Sequence, residues 1–164
     1  MNTISTKEVQ RRTLKFDTID QCFEELDRIE AAGADGTLEV LGNWTPGQIM
    51  AHLSAWIEYG WDGYPMKGPP FFVRWILKMG LKRMLKNGIS AGFNIPGVDG
   101  GTTGQDDMEL DDGITRLKSA LERMKSEPAI HDNPAFGEVT EELRQKLNLL
   151  HAELHLGFLK YPGC

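Results

Sequence analysis

Apolar residues recur at intervals of three and four along four long stretches of the chain, the period of α-helices that turn one face inward. In the first, Thr18–Ala32, Ile19, Cys22, Phe23, Leu26 and Ile29 form one stripe. Asp17 is its expected N-cap, and Gly33 and Gly36 its stop. The second opens at Thr45-Pro46-Gly47-Gln48, which sets a capping hydroxyl, a proline at the first helical position and a glutamine at the third. That is a capping box, in which Gln48 reaches back to the backbone of the cap. Ile49, His52, Leu53, Trp56 and Ile57 follow on one stripe, with an end expected near Gly60–Gly63. The third runs from about Asp107 to Ser126 with Ile114, Leu117, Leu121 and Met124 as its core face. The fourth, Glu141–Lys160, is capped by Thr140 and carries Leu143, Leu147, Leu150, His151, Leu154, His155 and Phe158.

Between these stretches, Phe71–Lys86 reads as a shorter, basic helix. Residues 87–105 read as a long glycine-rich loop containing Pro96, a feature often functional in a compact domain. Residues 1–16 are polar and read as an N-terminal arm. No strand-like alternation of useful length appears. The pattern predicts an all-α fold, a four-helix bundle with an extra helical insertion at 71–86, in one domain spanning residues 1–164.

Composition narrows the function classes. Forty per cent of residues are hydrophobic and 26% charged, the balance of a water-soluble globular protein. A net charge of −6 argues against a nucleic-acid binder, so no nucleic acid is expected as partner. The two cysteines, Cys22 and Cys164, form no CxxC pair and suit a reducing compartment. Arg11-Arg12 is not followed by the apolar run of an export signal. The apolar stretch Phe71–Leu85 is interrupted by Arg74, Lys78, Lys82 and Arg83, so no membrane span is expected and a cytoplasmic location is.

Three of the four histidines, His52, His151 and His155, fall on apolar stripes, where an imidazole is costly unless its nitrogens find partners. His151 and His155 are four residues apart and share one face of a helix, the spacing with which paired histidines hold one metal ion. His52 lies on another helix and also faces the core, and bundles build interior metal sites from facing helices. Three neutral nitrogen ligands leave a coordination position for water or substrate, the pattern of a catalytic site. The competing reading, core histidines that only hydrogen-bond, stays open at this point.

The stretch Gly42-Asn43-Trp44-Thr45-Pro46-Gly47-Gln48-Ile49-Met50-Ala51-His52-Leu53 resembles the second-helix signature of the DinB-like (DinB/YfiT) superfamily. His151-Ala152-Glu153-Leu154-His155-Leu156 resembles it again. Arg11 to Phe16, Ser90 to Pro96 and Asn133 to Gly137 are similar to an uncharacterised bacterial family within that superfamily. The resemblance implies a four-helix bundle and a mononuclear site with His52, His151 and His155 as ligands to a divalent transition metal, Zn²⁺ or Ni²⁺. Characterised relatives include metal-dependent transferases and isomerases that use low-molecular-weight thiols. The sequence departs from the family pattern at Leu154, where a second histidine is common, and at Asn133, which replaces a histidine. His131 reads as a surface loop residue rather than a ligand.

The expected function is metal activation of a water or thiol toward a small-molecule substrate, in a thiol-dependent transferase or a hydrolase. A non-catalytic metal-binding or stress-linked bundle is the alternative. A low-molecular-weight thiol is a candidate partner, and a homodimer is left open. Helical angles place Glu58 and Glu153 off the histidine face, so both are expected at the solvated surface. The basic stripe Arg74, Lys78, Lys82 and Lys86 reads first as a solvated edge, with attraction of an anionic substrate or a membrane surface as the functional reading. The acidic cluster from Asp106 to Asp112 suits a helix start and lacks the spacing of a calcium loop.

Overall fold

The computed structural model describes residues 4–95 and 98–164, so Pro96 of the glycine-rich loop and the first three residues of the arm lie outside the described residues. Five helices follow in order: α1 (Ile19–Ala34), α2 (Pro46–Asp62), α3 (Phe71–Asn87), α4 (Leu110–Ser126) and α5 (Glu141–Leu156). Two short strands, β1 (Glu39–Val40) and β2 (Leu159–Lys160), pair antiparallel, with Glu39 opposite Lys160 and Val40 opposite Leu159. The fold is an all-α helical bundle.

Local chemistry explains where the helices start. The hydroxyl of Thr45 accepts from the Gln48 backbone N–H, and the Gln48 side chain accepts from the Thr45 backbone N–H, which completes the expected capping box. The same box opens α1, where the cap is Thr18 rather than Asp17: Thr18 pairs reciprocally with Gln21. Gly33 lies inside α1, and the turn falls one residue after the Asp35 cap, at Gly36. α4 starts at Leu110, later than its apolar pattern suggests, because Asp107 is drawn off the helix and accepts from Gln48 Nε2 at 2.8 Å. Thr140 caps α5 as expected.

The end of α5 is a correction. The apolar period continues to Phe158, yet the helix stops at Leu156 and the chain turns into β2. Here long-range pairing overrides periodicity: Arg12 donates its backbone N–H to the Gly157 carbonyl at 2.8 Å, and Leu41 to that of Phe158 at 2.9 Å. The arm is thereby tied to the far end of the molecule. Phe16 is buried, and Arg12 forms an ion pair with Glu25 that also receives the Tyr161 hydroxyl.

Helices α1, α2, α4 and α5 share one core, in which Leu26, Leu53, Ile114, Leu117, Leu121 and Leu156 are almost fully buried. Each such side chain contributes roughly 1.5–3 kcal/mol relative to exposure. α2 and α4 make the most extensive helix pair. Gly47 lets the chain entering α4 cross α2 closely, since a Cβ there would lie 1.7 Å from the Met108 carbonyl oxygen. α3 is different: it has no buried residue and touches the bundle mainly along α5. It is the insertion that the pattern predicts.

Candidate metal centre

His52 comes from the middle of α2, and His151 and His155 from the last turns of α5. The three rings meet although 99 residues separate His52 from His151: their Nε2 atoms lie 3.1 Å apart. All three ring centroids are within 4.7–4.8 Å of each other. One nitrogen from each ring can be chosen so that the three lie within 4.8 Å of one another. Imidazoles around a single tetrahedral ion at roughly 2.0–2.1 Å would hold their nitrogens roughly 3.3–3.4 Å apart, close to the His52–His151 spacing. No Asp, Glu or Cys joins the cluster among the described residues.

The tautomer of His52 is set by the backbone. Its Nδ1 sits 2.7 Å from the Thr103 carbonyl oxygen, which can only accept, so Nδ1 carries the proton and Nε2 presents its lone pair toward the other two rings. This is the outer contact that metal-ligating histidines usually make. It comes from the glycine-rich loop, which passes directly over the site. Gly104 allows that passage: its φ is +83°, and a Cβ there would fall 2.6 Å from the Ala55 Cβ and 3.2 Å from the Tyr59 hydroxyl.

Aromatic rings form the walls. Trp44 stacks on His155 with centroids 5.2 Å apart and planes 9° from parallel. Trp56 lies edge-on to His151 at 5.5 Å, with Tyr59 and Tyr64 behind it. The Trp56 Nε1 donor and the Gln105 Oε1 acceptor are buried without a hydrogen-bond partner in the protein. His52 is 1% exposed, whereas His151 and His155 are of intermediate burial.

Burial controls the protonation of the cluster. It pushes His52 down to about 4, against a smaller opposing effect of the Thr103 bond. His151 is lowered by burial and then by His52, and His155 by burial, by the other two imidazoles and by Arg11. All three rings are therefore neutral at physiological pH, the state in which a histidine nitrogen binds a metal.

Other sequence expectations divide. His131 lies in an exposed loop as expected, apart from the cluster. Glu153 does not: it is buried, and its carboxylate accepts the Phe16 backbone N–H at 2.7 Å, because the arm folds over the face of α5 that helical angles left to solvent. Glu58 is likewise not a free surface group but pairs in bidentate fashion with Arg116 of α4, at 3.0 and 2.6 Å. Arg11 carried no assigned role in the sequence reading, yet it is the cation whose field reaches His155. Its guanidinium is held by long bonds to the Arg12, Glu153 and Ile89 carbonyls, all at 3.4 Å.

Comparison with curated proteins and with solved structures yields no match. A family model does match, over residues 8–161, nearly the entire chain and all three histidines. The chain belongs to the family described as Protein of unknown function (DUF1569).

Proposed function

We propose that the protein is a mononuclear metalloenzyme of the DinB-like type, with His52, His151 and His155 as ligands to a divalent transition ion, Zn²⁺ or Ni²⁺. The observation that carries this reading is the His52–Thr103 bond combined with the 3.1 Å approach of His151: together they aim the His52 Nε2 lone pair and the His151 Nε2, whose proton an arriving ion would displace, at a common point. When bound, such an ion supplies Lewis-acid activation of a water or a thiol. The residues of the chain then have separable tasks. Thr103 fixes the His52 ring, Trp44 holds the His155 ring by stacking, and Arg11 favours a negatively charged ligand beside His155. The unpartnered Trp56 Nε1 and Gln105 Oε1 offer a donor and an acceptor to a bound small molecule. The reaction fitting this inventory is transfer to, or hydrolysis of, a small substrate, with a low-molecular-weight thiol as the candidate co-substrate.

The decisive test is elemental analysis of protein prepared without a histidine tag and reconstituted with zinc or nickel. About one ion per chain is expected. His155→Ala should lose it while circular dichroism still reports a folded helical protein. Failure of the wild type to retain metal would refute the site and the enzyme with it. Metal binding without turnover of thiol conjugates or esters would instead favour the non-catalytic alternative. Turnover of one of those two substrate sets would separate transferase from hydrolase.

A further inference from the structure

α3 exposes what the other helices hide. Phe71, Phe72, Trp75, Ile76 and Met79 are 84%, 55%, 65%, 60% and 66% exposed, a cluster of large apolar side chains on the outward face of its first two turns. At 100° per residue they span an arc of about 140°. Lys82 and Lys86 continue that arc toward the C-terminus, with Arg83 inside it, while Arg74 and Lys78 flank it. Val73, Leu77, Leu81 and Met84, on the opposite face, are only partly exposed.

The charge carried by the segment itself is one-signed. Between Asp62 and Asp99 the sequence has six Lys and Arg and no Asp or Glu, in a chain whose net charge is −6. None of those six forms an ion pair among the described residues, whereas ten cations elsewhere in the chain do. An open groove of about 580 Å³ runs along the apolar turns beside Arg74 and Lys78. Asp132 and Glu138 border that groove, yet among the described residues neither forms an ion pair with a cation. Among the described residues, no helix is long and apolar enough to cross a membrane.

We propose that α3 docks the protein on the surface of an anionic lipid bilayer, with Phe71, Phe72 and Trp75 entering the headgroup region and Lys82, Arg83 and Lys86 on the lipid phosphates. Exposed Phe and Trp beside Lys and Arg on a helix too polar to span is the composition of an interfacial helix. Charge complementarity selects this occupant over a second copy. A second copy docked through α3 would bring two like-charged helices together, each from a segment with six Lys and Arg and no carboxylate, and a head-to-tail contact would leave an open-ended chain of molecules. The proposal is independent of the histidine cluster.

Co-sedimentation of the full chain with vesicles tests it. Binding is expected to vesicles of phosphatidylcholine mixed with phosphatidylglycerol, not to phosphatidylcholine alone, and should fall as salt rises. K82Q/K86Q should bind roughly 30-fold more weakly, at about fivefold per lysine. Trp75 is the exposed tryptophan, so its emission should shift to the blue on binding; W75F should remove the shift and keep the binding. All these positions are exposed, so circular dichroism should show unchanged folding in the variants. Protein left in the supernatant with anionic vesicles, equal binding to neutral ones, or a lipid-free dimer that W75S converts to monomer would each overturn the proposal.

Discussion

Acid should destabilise the metal-free protein through His52 in a quantifiable way. Its Nδ1 proton is committed to Thr103, so a second proton must enter at Nε2, 3.1 Å from the Nε2 of His151 and out of contact with water. The folded state resists that proton down to about pH 4, while the unfolded state accepts it near the ordinary value of 6.5. The native pKa is thus depressed for a base. The unfolded chain binds the extra proton between those values, and stability must rise with pH across that window and fall as pH drops through it. From pH 7 to pH 5 the His52 contribution alone is about 2 kcal/mol. For a chain of this size that lowers the melting temperature by about 4–8 °C. His151 and His155 are shifted the same way, so the sum is larger. Calorimetry of chelator-treated protein at several pH values measures it. H52Q keeps a donor for Thr103 but cannot titrate, so its stability should vary less between pH 7 and pH 5 by that amount. A wild type and an H52Q variant with the same pH slope would refute the reasoning. With metal bound the slope should steepen, since protons then also compete with the ion for the nitrogens.

Other consequences can be checked directly. G104A places a Cβ against Ala55 at a residue with φ +83°; the loop must lift, the Thr103 bond to His52 is lost, and metal affinity should fall about 10–100-fold by calorimetric titration. E25A removes the partner of the largely buried Arg12 guanidinium and should cost about 3 kcal/mol in urea unfolding, loosening the arm without removing the histidine cluster. Zinc added at about 100 times its dissociation constant should stabilise the wild type by roughly 2.7 kcal/mol in thermal melts and leave H155A unchanged.

What could be read from the sequence was whatever has a local cause. The Thr45 and Thr140 caps, the apolar stripes and the inward-facing histidines follow from residue spacing, and the structure retains them. What escaped depends on partners far along the chain. Glu153 is buried because Phe16, 137 residues away, brings it a backbone donor. β2 forms because β1 waits 120 residues earlier, so an unbroken helical period misplaces the end of α5. The Thr103 carbonyl could not be foreseen at all, because every residue has one and only the loop path selects it. The position of α1's cap was a near-degenerate choice between neighbouring Asp17 and Thr18: the Gln21 side chain accepts from both backbone N–H groups, and the Thr18 hydroxyl decides it by accepting from the Gln21 backbone N–H.

The peripheral seat of α3 has a consequence for the integrity of the chain. The segment from Gly63 to Ile95 joins α2 to the glycine-rich loop but contributes no fully buried residue, while α2 and α4, on either side of it, form the most extensive helix pair. A protease that nicks this segment would cut the covalent connection without removing the packing. One piece would keep His52, the other Thr103, His151 and His155, so an ion in the cluster would be liganded by both. The nicked molecule should migrate as one particle in native gels and as two bands under denaturation, and a chelator should hasten the separation of its halves.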